Sequence, residues 1–114
     1  MTKRQCDALW STKIRSRGKC AVCGHRYGLA AHHLVPRRVK EFRHDLDNGV
    51  CLCFDCHTGS SDFSAHLTPA KFRDWMEENL PEQYELWQRR KNMVTVSTRS
   101  WPEVWAELNK KDFT

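Results

Sequence analysis

Two Cys-x-x-Cys pairs, Cys20/Cys23 and Cys53/Cys56, stand 29 residues apart in a chain of 114 residues. A CxxC turn brings two thiolates onto one ion, and two such turns supply the four soft ligands of a closed tetrahedral zinc site. The intervening stretch is longer than a simple zinc ribbon needs, so it must carry structure of its own. With four thiolates no coordination position stays open, and the ion's role is structural. Such a staple suits a chain that can bury only a modest apolar core. Disulfides are the other reading of six cysteines, but the paired spacing favours metal and a reducing compartment. Cys51 would share a strand face with Cys53 yet lacks a knuckle partner, so it reads as a small buried side chain. Cys6 carries no functional argument.

Around the knuckles the pattern predicts an α+β fold in a single domain, 1–114. Residues 1–19 would give a basic N-terminal helix, 20–67 the knuckles and a compact core, and 68–114 the C-terminal helices. Ala8, Leu9, Trp10 and Ile14 fall among basic residues from Cys6 to Arg17, a short helix that Gly18 ends. The apolar run between Gly28 and Pro36 and the segment Gly49–Leu52 read as strands, with the charged stretch Arg37–Asn48 as a loop. Thr68 and Pro69 form an N-cap and first-turn proline for a helix to Leu80, with Phe72, Trp75 and Met76 on one face. Pro81 restarts the chain into a helical segment over Glu82–Lys91, Met93–Val96 is a brief extended piece, and Ser100 and Glu103 make a capping box for a last helix. The opening Met1–Cys6 runs straight into polar sequence, and no apolar stretch approaches the roughly 20 residues of a bilayer span, so a cytoplasmic protein with no membrane partner is expected.

The insert between the knuckles holds Ala31-His32-His33-Leu34-Val35-Pro36, then Asn48 five residues before Cys53, and His57 directly follows Cys56. On these residues the sequence resembles the HNH endonuclease family, in the form whose ββα-metal (His-Me finger) core is stapled by two CxxC knuckles. The resemblance covers Cys20 to His57, and several irregularly spaced positions agree at once. Small phage-encoded HNH proteins look similar, so a phage-type enzyme acting in a bacterial host cell is implied.

Hydrolysing a phosphodiester requires a base to deprotonate water and a cation to stabilise charge on the phosphate and the leaving oxygen. Adjacent strand residues point to opposite faces, so His32 and His33 cannot both ligate one ion from an ideal strand, and two histidines with two roles is the natural solution. The resemblance implies which is which: His32 and His57 bind a catalytic divalent ion and His33 is the general base. Two roles are open to Asn48, tying the inter-strand loop so that His33 is oriented, or reaching the metal; the imidazole-rich ligand set favours the first. His66 is either a further ligand or a helix-cap packing residue. Many relatives have aspartate where this chain has His32. An imidazole there leaves the ion's identity open among magnesium, manganese, nickel and zinc, and suits borderline metals better than magnesium.

The net charge of +5 clusters at Lys3–Lys19 and Arg37–Arg43 and fits a polyanionic partner. Arg37, Arg38, Lys40 and Arg43 are expected to reach DNA phosphates flanking the cut, contacts that position a duplex without reading its sequence. His25 and His44 are expected on the surface, with His44 also near enough to Arg43 to touch phosphate. The tryptophans are mostly core residues. One site per chain makes a nick the minimal product, so a homodimer or a phage packaging or recombination partner stays open. The competing reading is a noncatalytic zinc-dependent nucleic-acid-binding module, which gives no reason for His32, His33, Asn48 and His57 to occur together.

Overall fold

The computed structural model describes residues 1–95 and 99–110. Its centre is an antiparallel hairpin of β1 (Leu29–His33) and β2 (Gly49–Cys53), with Leu29 opposite Cys53 and His33 opposite Gly49. Helices cover both faces, which is why every residue of β2 is buried rather than every second one. On one face α1 (Lys3–Arg15) and α4 (Trp101–Lys110) enclose Cys6, Trp10, Ile14, Cys51, Val104 and Leu108. On the other, α2 (Pro69–Asn79) and α3 (Pro81–Arg90) pack with Phe72 and Met76 against Val50 and Leu52, beside the thiolates. The small α+β fold with a cysteine cluster agrees with the ββα-metal expectation.

Helix α1 begins earlier than its apolar pattern suggests. The Gln5 N–H donates to Thr2 Oγ1 at 3.2 Å while the Thr2 N–H donates to Gln5 Oε1 at 2.9 Å, a capping box that fixes the start ahead of the first buried residue, Cys6. Thr68 precedes α2 as expected, but its hydroxyl turns back, donating to Ser64 O at 2.9 Å and accepting from the Ser64 N–H at 2.8 Å, so it does not cap the helix. Pro69 in the first turn needs no donor and tolerates this arrangement. In α4 the Glu103 N–H donates to Ser100 Oγ at 3.4 Å. Met93, Val94 and Thr95 form no strand, and Val96 lies outside the described residues.

The helical part of the ββα unit is short. Asp55–Gly59 makes one wide turn, closed by the Ser60 N–H donating to Asp55 O at 2.9 Å. The chain then doubles back, and the Ala65 and His66 N–H groups donate to Cys56 O at 2.8 Å and His57 O at 3.0 Å. Among the described residues, no helix is long and apolar enough to cross a membrane.

Candidate active site

The knuckles meet where β2 ends. Ligand atoms of Cys20, Cys23, Cys53 and Cys56 all lie within 4.8 Å of one another, and Cys23 Sγ and Cys53 Sγ are 3.6 Å apart. A tetrahedron with Zn–S bonds of about 2.3 Å has sulfur–sulfur edges of about 3.8 Å, so the four sulfurs fit one zinc. Burial pushes the Cys20 thiol up, but backbone N–H groups of Cys23, Cys53 and Val22 aimed at its sulfur outweigh burial and bring it down to about 7.

A second cluster lies one residue further along the chain. His32 on β1, His57 in the wide turn and His66 after it bring ring nitrogens within 4.8 Å of one another. The backbone pairing of His57 with His66 makes this possible: it holds their ring centroids 4.7 Å apart, with His32 5.2 Å from each. Burial lowers His32 to about 3, and the neighbouring imidazoles add to the shift. Burial likewise lowers His57. Three imidazoles whose ring nitrogens converge could hold a divalent cation, and among the described residues the cluster carries no carboxylate. His66, left open by its sequence, joins the set.

His33 faces the other way, as strand alternation requires. Its Nε2 lies 2.9 Å from Arg43 O, and a carbonyl only accepts, so Nε2 carries the proton and Nδ1 holds the free lone pair. Burial lowers His33 to about 4, which keeps the ring neutral at physiological pH. Trp10 of α1 stacks on the imidazole with centroids 3.9 Å apart and planes 14° from parallel. The indole is pinned in turn by its Nε1–H donating to Asp45 O at 2.8 Å.

Asn48 is 1% exposed, and both ends of its amide are engaged by one residue: the Val35 N–H donates to Oδ1 at 2.9 Å and Nδ2 donates to Val35 O at 3.1 Å. Leu34 N–H donates to Asn48 O at 3.0 Å, so Asn48 extends the pairing just past His33, where the strand ladder has stopped.

Of the basic loop, Arg37, Arg38 and Lys40 are exposed, whereas Arg43 turns inward. Its Nε and Nη2 donate to Asp7 Oδ1 and Oδ2 at 2.8 and 2.7 Å, and Nη1 donates to Arg37 O at 3.1 Å. These bonds occupy the guanidinium that was expected on phosphate. His44 corrects a second expectation: it is buried, at 4% exposure, because Nε2 finds Asp7 Oδ1 at 2.7 Å and its ring meets Trp101 edge-on. His25 is exposed as expected. Sequence reasoning gave Trp10 and Asp7 no site role, since nothing local marks residues whose partners lie 23 to 37 positions away.

His32, His33, His57 and His66 open into one cleft of about 730 Å³, with Arg37 and Arg73 also on its walls. The three-imidazole cluster and His33 thus share a space large enough for a phosphate and its flanking sugars. No curated protein and no solved structure matches the chain significantly. The HNH endonuclease family model matches residues 20–63, taking in both knuckles, His32, His33, Asn48 and His57 and stopping before His66. Residues 20–63 of this chain are therefore similar to an HNH endonuclease domain.

Proposed function

We propose that this chain is a metal-dependent DNA endonuclease in which His33 activates water and His32, His57 and His66 hold a divalent ion. The observation that carries the reading is the split of the histidine pair across β1: a three-imidazole cluster lies on one side, and a neutral imidazole with a free Nδ1 on the other, both bordering one cleft. An ion held by the imidazoles supplies charge stabilisation for the phosphate and for the oxygen that leaves.

His33 Nδ1 takes a proton from water as the water oxygen bonds to phosphorus and the P–O3′ bond breaks. The departing 3′ oxygen is protonated by solvent, leaving a 3′-hydroxyl and a 5′-phosphate. Arg43 O holds the imidazole edge throughout, and Asn48 holds the backbone beyond it, which favours the orienting role for Asn48 over ligation. Arg37 from the loop and Arg73 from α2 lie on the cleft walls, where each can contact a phosphate. A ligand set without a carboxylate favours manganese, nickel or zinc over magnesium.

The test is nicking of supercoiled plasmid in chelator and after addition of magnesium, manganese, nickel or zinc, with His33→Ala and His66→Ala prepared alongside. Metal-dependent nicking is expected in the wild type and not in folded, zinc-replete His33→Ala. His66→Ala should need a higher concentration of catalytic ion. Retarded plasmid that is never cut, under any of these ions, would favour the noncatalytic binding module instead.

A further inference from the structure

The matched domain begins at residue 20, yet the residue in closest ring contact with its base comes from before it. A histidine side chain has two torsions to fix if Nδ1 is to meet a water at one place. The hydrogen bond from Nε2 to Arg43 O fixes the direction of the ring edge but leaves the ring free to roll about that bond. The parallel indole of Trp10, 3.9 Å away, removes the roll. Each restraint is itself anchored. Trp10 is 2% exposed and donates to Asp45 O, and Arg43 is held by the two-pronged bond to Asp7, one turn before Trp10 on the same helix.

Gly49 shows that the approach is built in. It lies opposite His33 in the hairpin, and a Cβ there would come within 2.6 Å of Trp10 Cζ2 and 2.5 Å of Ile14 Cδ1. Its φ of −126° is ordinary extended backbone, so glycine is required for space and not for conformation.

We infer that Trp10 is a positioning residue for the catalytic base and that α1, through Trp10 and the Asp7–Arg43 pair, completes an active site that the HNH domain alone leaves loose. This rests on the nuclease reading above. A displaced base of the kind the clamp prevents costs roughly 100-fold in rate.

The experiment compares wild type, Trp10→Phe and Trp10→Leu as full chains, each checked for zinc content and thermal unfolding. For each, kcat and KM for plasmid nicking are measured together with the ¹H–¹⁵N signals of the His33 ring. In the wild type, the His33 carbon-bound protons should be shifted upfield by the indole, and the ring should show a single tautomer protonated at Nε2. Trp10→Leu should lose the upfield shift and lower kcat by roughly 10- to 100-fold with KM changed less than about threefold, and the flat ring of Trp10→Phe should restore most of kcat. Unshifted His33 protons in the wild type would overturn the inference, as would full kcat in Trp10→Leu. Should Trp10→Leu fail to fold, the wild-type ring signals decide in the same way, and a folded Trp10→Phe that loses more than about tenfold in kcat would overturn the inference. A wild type that cuts nothing yet keeps the shifted His33 signals would count against the nuclease reading and not against the clamp.

Discussion

Replacing Gly49 by alanine sets two effects of opposite sign against each other. At an extended φ, Gly→Ala normally stabilises by about 0.4–1 kcal/mol, because the unfolded chain loses freedom. Here the new methyl would come within 2.5 and 2.9 Å of two atoms of Ile14 and 2.6 Å of Trp10, side chains that are 0% and 2% exposed. Neither can swing away: Ile14 is enclosed in the α1/α4 cluster, and the indole is bonded to Asp45 O. Overpacking of this kind costs typically about 1–3 kcal/mol, so packing wins and the net loss should be roughly 1–2 kcal/mol. For a domain of this size that lowers Tm by about 4–12 °C. Thermal unfolding followed by far-UV circular dichroism at fixed zinc measures it. The substitution should also lower kcat, because relief of the clash requires α1 to move and Trp10 moves with it. An unchanged or raised Tm would show that α1 is not seated against Gly49, and the argument for close packing at the base would fail with it.

Asn48→Ala leaves the buried N–H and C=O of Val35 without partners and should cost about 2–4 kcal/mol in urea unfolding, with activity falling as the end of β1 loosens. Asp7→Asn should weaken the fold in a pH-dependent way. Burial raises the Asp7 carboxyl, but hydrogen bonds from Arg43 and His44 outweigh burial and hold it below its ordinary value. The stability that this depressed pKa contributes is present above the ordinary carboxylate value of about 3.9 and is lost as pH falls through the folded value. The wild-type advantage over Asp7→Asn should therefore be steady near neutrality and shrink below about pH 4. Removing the thiolate-bound ion with a strong chelator should unfold the hairpin, read as loss of ellipticity in step with released zinc. Unchanged ellipticity in metal-free protein would refute the structural role.

The thiolate cluster was legible because CxxC spacing is local and the turn chemistry does the rest. The opposite facing of His32 and His33 was legible because strand alternation is a covalent fact. What escaped the sequence depends on distant partners. His44 looks like a surface residue until Asp7, 37 positions earlier, is brought to its Nε2. Arg43 looks like a phosphate contact until the same carboxylate claims it. Trp10 reads as one more apolar position on a helix, and nothing in its neighbourhood states that the surface it covers is an imidazole. His66 was undecided for a related reason, since its distance from His57 is set by two backbone hydrogen bonds that no side chain announces.

That backbone pairing makes the third imidazole a matter of loop length. The Cys56–Ala65 and His57–His66 bonds close a small loop whose span fixes where residue 66 arrives, while His32 is held independently by the hairpin and His57 by the knuckle. One residue gained or lost between 58 and 64 would carry His66 away and leave two imidazoles, with the cysteine cluster and His33 untouched. Chains built on this plan could thus drift between two- and three-nitrogen sites, and so between preferences for harder and softer ions, through a single small insertion in an exposed turn rather than by substituting any ligand.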